Sequence, residues 1–208
     1  MQDPRINDKR EDILDIAERL FAEQGFEAVS VREISREAEI NIAMISYYFG
    51  SKEKLYEEII KRKLISYKEL KQGVNAFDTE LEKLMFVAAT VTQAFFKNRN
   101  FQKIIFREMS LNQRTHMADY LIEHMHQNFQ FITDIVKRGI RKKEFKPVEV
   151  ELTVMSLYAI IRMYTTSGTM ICKITNKNSV EDVYDEKQRL RLIKFLRDLF
   201  TAHLLPQQ

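Results

Sequence analysis

Three helix-start signals lie close together near the N-terminus, and they constrain the fold more than any other feature. Ser30 stands three residues before Glu33, which is the pattern of a capping box. Asn41 and Ser51 are two further residues of the types that cap helix N-termini. This spacing predicts two short helices, the second over 42–49, joined by a tight turn.

Helical periodicity continues on both sides of this segment. Apolar residues repeat on one helix face before it, at Ile13, Ile16, Ala17, Leu20 and Phe21. A fourth helix is predicted over 52–72, and longer ones follow at 79–98, 100–112, 114–143, 147–171 and 184–204. Few glycines (5) and prolines (3) interrupt a chain that is 45% hydrophobic, so the predicted fold class is all-α.

Cysteine usage and hydropathy indicate a cytoplasmic protein. The single cysteine, Cys172, excludes an internal disulfide and a zinc site built on paired cysteines. We expect no signal peptide and no membrane association, since no apolar run approaches the roughly 20 residues needed to span a bilayer.

Net charge gives no support to nucleic-acid binding. The whole chain carries +3, but residues 1–72 hold 13 Lys and Arg against 15 Asp and Glu, which is −2. Any affinity for DNA must therefore come from the local placement of side chains.

The segment around the tight turn reads Ser30-Val31-Arg32-Glu33-Ile34-Ser35-Arg36-Glu37-Ala38, followed by Ile40-Asn41-Ile42-Ala43-Met44-Ile45-Ser46 and Tyr47-Tyr48-Phe49-Gly50-Ser51-Lys52-Glu53-Lys54-Leu55. This segment, and its last part above all, resembles the tetracycline-repressor (TetR) family. The resemblance implies a three-helix helix-turn-helix DNA-binding domain at 1–56. A larger helical domain for effector binding and dimerisation is expected at 57–208.

The resemblance also implies which residues contact DNA. Tyr47 and Lys52 are expected on phosphates and Arg32 on a base edge, with Ile42, Ala43 and Met44 facing the major groove. Asn41, Ser46 and Tyr48 complete the expected set, and Arg5, Lys9 and Arg10 are candidates for further phosphate contacts. Alternatively, Met44 and Tyr48 are half-buried packing residues.

Two positions depart from the family pattern. Glu39 stands where a glycine is usual, and a left-handed backbone there costs a non-glycine residue about 1 kcal/mol. Ser46 stands where many members have tyrosine, which shortens the reach of that position.

Aromatic and methionine side chains suggest an apolar effector pocket in the C-terminal domain. The candidates are Phe86, Phe95, Phe96, Phe106, Met109, Tyr120, Met125, Phe129, Tyr158, Met163 and Tyr164, any of which is alternatively plain core. Arg162 interrupts an apolar helix, and it pairs either with an effector carboxylate or with an acidic neighbour.

The last helix carries an apolar stripe of Leu192, Phe195, Leu196, Leu199, Phe200 and His203. With the preceding long helix, the stripe suggests a four-helix dimer interface. Alternatively, it covers only the core of its own chain.

These features predict a homodimeric repressor that binds a palindromic operator and releases it when an apolar or aromatic molecule binds. In the expected mechanism, the effector moves the fourth helix, through Leu55 to Leu64, and changes the spacing of the recognition helices. The alternatives are a C-terminal domain that binds a protein partner, or an enzyme, although no catalytic motif is apparent. No cofactor or metal is expected, since His116, His124 and His126 do not form a ligand set.

Overall fold

The computed structural model describes residues 4–64, 67–111 and 115–206. Within these ranges the regular secondary structure is helical, so the predicted all-α fold class is confirmed. The α-helices are α1 (Pro4–Gln24), α2 (Val31–Glu37), α3 (Ile42–Phe49), α4 (Lys52–Lys63), α5 (Tyr67–Val74), α6 (Glu80–Lys97), α7 (Arg99–Leu111), α8 (Thr115–Arg141), α9 (Val150–Thr166), α10 (Gly168–Ile174) and α11 (Glu186–Leu204). A short 3-10 turn lies at Glu181–Val183.

The chain divides into two compact units. Unit 1 comprises residues 1–64 and 100–119, and unit 2 comprises residues 65–99 and 120–208. Most of α7 therefore packs with the N-terminal helices, although it follows α6 in the chain. The boundary between a DNA-binding and an effector domain at residue 56 stays a prediction.

Local capping sets the ends of the short helices in unit 1, as the sequence predicts. The side chains of Ser30, Asn41 and Ser51 each accept a backbone N–H from the first turn of α2, α3 and α4, at 3.1, 2.9 and 3.2 Å. Only half of the predicted capping box forms, because the Glu33 carboxylate accepts from Gln24 Nε2 at 2.8 Å.

In the turn between α2 and α3, Glu39 adopts a left-handed backbone with φ of +52°, although it stands where a glycine is usual. This conformation, which favours glycine, lets the Ile40 N–H donate to the Ser35 carbonyl at 3.0 Å. The turn thus closes over the end of α2 and leads directly into Asn41.

The core of unit 1 joins α1, α2, α3, α4 and α7. Its apolar side chains are almost fully buried, among them Ile13, Phe21, Ile34, Ile45, Phe49, Leu55, Ile59 and Phe101. Phe21, Phe26 and Tyr56 form an aromatic cluster with ring centroids 4.8–5.4 Å apart. The inner face of helix α3 therefore packs against this core, and its outer face remains exposed.

Two predicted helices are shorter in the structure. The helix predicted over 52–72 ends at Lys63, and Leu64 has an extended backbone with ψ of 131°. The helix predicted over 147–171 is interrupted at Ser167, where α9 ends and α10 begins. At this break Gly168 lies against Tyr184, since an added Cβ would stand 2.6 Å from Tyr184 Oη.

Unit 2 surrounds its own core with α6, α8, α9 and α11. Its buried members on these helices include Leu84, Val87, Val91, Ile132, Ile135, Val136, Val154, Leu157, Ile161, Leu192, Leu196 and Phe200. Across the described ranges, no helix is long and apolar enough to cross a membrane.

Candidate nucleic-acid interface and effector region

The outer face of α3 is the surface that the sequence assigns to DNA. Ala43 and Tyr47 lie one turn apart on this face, opposite the buried Ile45 and Phe49. Tyr47 is 78% exposed, and Ile42 at the N-terminal tip is 43% exposed. The core of unit 1 therefore uses one side of α3 and leaves the other available for a partner.

The other residues expected at DNA lie around this face. Arg32 and Ser46 are exposed, whereas Met44 and Tyr48 are half-buried, and the Tyr48 ring lies 5.3 Å from that of Tyr47. Asn41 is exposed, but its Oδ1 accepts the Ala43 N–H. The DNA contacts of these residues stay predictions.

Lys52 has partners inside unit 1 that the sequence did not reveal. Its ammonium donates to the carbonyl oxygens of Phe26 and Val29 at 2.9 and 3.0 Å, and it lies 4.1 Å from the centroid of the Phe26 ring. These contacts fix the link between α1 and α2 to the start of α4. The predicted phosphate contact therefore requires Lys52 to share its ammonium or to release these carbonyls.

Replacing Lys52 with methionine tests its contribution to stability separately from its predicted contact with a DNA phosphate. The variant keeps an apolar side chain of similar length but loses the hydrogen bonds, so we expect unfolding free energy to fall by about 1.5 kcal/mol. Urea unfolding followed by circular dichroism measures this loss.

The salt dependence of DNA binding tests the phosphate contact of the same variant. If Lys52 neutralises one phosphate in each half-site, the slope of log K against log salt becomes shallower by about 0.9 per half-site, or about 1.8 for a dimer. A slope equal to that of the wild type, together with the stability loss, assigns Lys52 a structural role only.

The N-terminal arm is also engaged within unit 1. The Arg10 guanidinium pairs with Glu58 and lies 5.1 Å from the centroid of the Phe49 ring. Lys9 is half-buried. Arg5, like His116, lies outside the residues whose side chains are described.

Helix α4 is anchored at its C-terminal end by ion pairs with α1. Arg62 pairs with Glu11 and Asp15, and Lys63 Nζ lies 3.1 Å from Glu18 Oε2. The sequence pattern indicates this contact. The acidic residues recur at helical spacing on one face of α1, and the basic residues are the last two of α4.

Helix α7 is joined to the same body by two contacts. The buried Tyr56 hydroxyl of α4 donates to Glu108 Oε2 at 2.8 Å, and Arg107 Nη1 donates to the Phe21 carbonyl at 3.2 Å. Any displacement of α4 therefore acts on α1 and α7 as well.

The candidate effector residues fall into three groups. Phe86, Phe95, Phe129 and Tyr158 are half-buried against the core of unit 2, as is Tyr164, while Phe96 is buried within it. Tyr120, Met125, Arg162 and Met163 are exposed in unit 2. Phe106 and Met109 are exposed on α7 and belong to unit 1. The structure thus does not bring all the candidates into one cluster.

Two pairs of candidates are in ring contact: Phe96 with Tyr164, with centroids 5.8 Å apart, and Phe129 with Tyr158. The rings of Phe129 and Tyr158 stack with centroids 6.5 Å apart, which connects α8 to α9. Burial raises the pKa of the Tyr158 hydroxyl well above its usual range. Tyr158 is therefore neutral at physiological pH and available as a hydrogen-bond donor.

A surface depression also lies on α8. It is lined by His126, Gln127, Gln130, Phe131 and Asp134, none of which the sequence singled out for effector binding. His124 lies a little earlier on α8, with its ring 6.4 Å from that of Tyr120.

Comparison with known proteins supports the resemblance at α1 to α4. A family model described as bacterial regulatory proteins, tetR family, matches residues 13–59. The HTH-type transcriptional repressor KstR2 of Rhodococcus jostii is 26% identical over 187 residues, which cover 85% of this chain and 90% of that protein.

Solved structures resemble this fold over most of the chain. The ketosteroid transcriptional regulator KstR2 of Mycobacterium tuberculosis superposes with a TM-score of 0.77 at 18% identity, covering 95% of each chain. The transcriptional regulator FadR from Bacillus subtilis, solved in complex with stearoyl-CoA, gives a TM-score of 0.66 at 20% identity, covering 93% of this chain and 98% of that one.

Proposed function

We propose that this chain, which belongs to the TetR family of bacterial regulatory proteins, represses transcription by binding a palindromic operator as a homodimer and releasing it when an effector binds. The observation that carries the proposal is the exposed outer face of α3, held by capped turns within the segment that matches the family. A recognition helix presented in this way fits the major groove.

Selection from a random duplex library tests the DNA-binding part of this proposal. The purified full chain is mixed with 40-base-pair duplexes carrying a random centre, and bound DNA is sequenced over successive rounds. We expect enrichment of an inverted repeat, with half-sites spaced by about one helical turn. Binding without enrichment of any sequence argues against an operator-specific regulator.

The dimer interface is proposed to form on α9 and α11. Thr153 Oγ1 lies 3.0 Å from His203 Nε2, and the Tyr164 hydroxyl donates to Gln188 Oε1 at 3.3 Å, so the two helices run antiparallel. Each leaves large apolar side chains exposed, namely Leu152, Met155 and Met163 on α9 and Phe195 and Leu199 on α11. Two neighbouring apolar faces of this kind suit a self-complementary four-helix interface.

The stripe predicted on the last helix divides between two environments. Leu192, Leu196 and Phe200 are buried in the core of unit 2, whereas Phe195 and Leu199 are 52% and 38% exposed. His203 is exposed and pairs with Thr153. The buried part of the stripe belongs to the core of its own chain, and the exposed part supports the proposed dimer interface.

Replacing Phe195 with glutamate is expected to weaken the dimer at least about tenfold, because a charge would be buried without a partner at the interface. Sedimentation velocity over a concentration series measures the change from two chains to one. Leu190→Glu is the matched control, since Leu190 is 53% exposed on the same helix but faces away from Phe195. Equal dimer affinity for both variants would place the interface elsewhere.

The proposed effector has a large apolar body. The half-buried Phe86, Phe95, Phe129 and Tyr158 offer mainly aromatic surface, and the neutral Tyr158 hydroxyl offers one polar contact. FadR, which shares the fold, was solved with stearoyl-CoA, and KstR2 is named for ketosteroids. Stearoyl-CoA and a ketosteroid are therefore the first probes, and release of the selected operator measured by fluorescence anisotropy is the readout.

A further inference from the structure

The recognition helix α3 lacks every side chain that can make two hydrogen bonds with one base. Such contacts come from Arg or Lys on guanine and from Asn or Gln on adenine, and Asp or Glu accepts from cytosine. The sequence of α3, Ile42-Ala43-Met44-Ile45-Ser46-Tyr47-Tyr48-Phe49, contains none of these residue types. Its hydrogen-bonding groups are limited to three hydroxyls, which serve phosphates as readily as bases.

The amide nearest to α3 is already committed to the helix. Asn41 is the N-cap residue, and its Oδ1 accepts the Ala43 N–H at 2.9 Å. An asparagine that reads adenine needs both its oxygen and its nitrogen on the base edge. The cap occupies one of the two lone pairs of Asn41 Oδ1, so reading adenine would require this oxygen to be shared between the helix and the base.

The tip of α3 instead presents apolar groups. Ile42 occupies the first position of the helix and is 43% exposed, and Ala43 beside it is also exposed. The N-terminal residues of a recognition helix are those that approach base edges. The apolar group that the major groove offers to such side chains is the C5 methyl of thymine.

We infer that Ile42 and Ala43 determine operator specificity by contacting thymine methyl groups, so that each half-site carries A·T pairs where the tip of α3 enters the groove. This inference rests on the proposed operator binding. It assigns hydrogen-bonding base readout to residues outside α3, such as the exposed Arg32.

Deoxyuridine substitution in the selected operator tests the inference directly. Deoxyuridine pairs with adenine as thymine does but lacks the C5 methyl, so only the apolar contact is removed. We expect affinity to fall about fourfold for each contacted methyl, and about fifteenfold when the symmetric position is changed too. Thymines outside the half-sites serve as controls, and their replacement should leave affinity unchanged.

The variant Ile42→Ala identifies the protein side of the contact. In this variant, deoxyuridine at the thymine facing residue 42 should cause almost no further loss, whereas Ile42→Val should retain most of the effect. Thermal melting of both variants checks that the fold is intact, which the exposed position of Ile42 favours.

The outcomes distinguish this inference from the proposed function. Selection of one operator with equal affinity for its thymine and deoxyuridine forms overturns the methyl contact and leaves the regulator intact. Selected half-sites that carry only G·C pairs where the tip of α3 enters the groove would likewise overturn the methyl contact and leave the proposed regulator intact. Failure to select any sequence overturns both.

Discussion

Replacing Ala43 with glutamate is expected to lower operator affinity at least about a hundredfold without unfolding the protein. Ala43 lies on the outer face of α3 and is exposed, so a carboxylate there would approach the phosphates and base edges of bound DNA. Repulsion between like charges at a close interface costs several kcal/mol, which corresponds to this loss. Fluorescence anisotropy with the selected operator measures it.

The same substitution should not weaken the fold. Residue 43 lies in the first turn of α3, where a negative charge interacts favourably with the helix dipole, by about 0.3–1 kcal/mol. A melting temperature equal to or above that of the wild type is therefore expected. Ala43→Gln is the neutral control, and its affinity should lie much closer to the wild type. Wild-type affinity in Ala43→Glu would show that α3 does not face DNA through this side.

Features set by neighbouring residues were predictable from the sequence. Ser30, Asn41 and Ser51 cap their helices as expected, because capping depends only on residues two or three positions away. The left-handed backbone of Glu39 follows the family pattern, which has glycine there, and the residue type alone does not indicate it. The family resemblance added the role of this segment, which capping alone does not reveal.

Features that depend on distant contacts were not predictable. Apolar and helix-favouring residues continue past Lys63, so the end of α4 has no strong local signal. The break at Ser167 has one, the Ser167-Gly168 pair, but the apolar periodicity on both sides favoured a continuous helix. The carbonyl partners of Lys52 lie 23 and 26 residues away, and the partner of Tyr56 on α7 lies 52 residues away. The candidate effector set mixed residues of both units for this reason, since side-chain type does not specify a location.

Replacing Glu80 with alanine is expected to destabilise unit 2 by about 3 kcal/mol. The Glu80 side chain is only 1% exposed at the start of α6, where its oxygens accept from Lys142 Nζ at 2.9 Å, Lys83 Nζ at 3.2 Å and Arg138 Nε at 3.2 Å. The carboxylate therefore joins α6 to the end of α8. Urea unfolding, with hydrogen exchange over α6 and α8, measures the loss.

An exposed ion pair provides the matched control for this experiment. Glu151 pairs with Lys137 at 3.3 Å, but their side chains are 61% and 43% exposed, so Glu151→Ala should cost less than about 1 kcal/mol. Equal effects of Glu80→Ala and Glu151→Ala would contradict a special contribution from the buried carboxylate.

The contribution of Glu80 should also depend on pH. Burial by itself raises the pKa of the Glu80 carboxyl, but hydrogen bonds from Lys142 and Lys83 and the charge of Arg138 outweigh it, so the pKa lies below its usual value of 4.5. A lowered pKa gives stabilisation that is present above pH 4.5 and is lost as the pH falls through the pKa of the folded state. The stability difference between wild type and Glu80→Gln should therefore be constant near neutral pH and shrink in acid. A difference that grows on acidification would mean that Glu80 is stabilised in its protonated form, and that these three cations do not hold it.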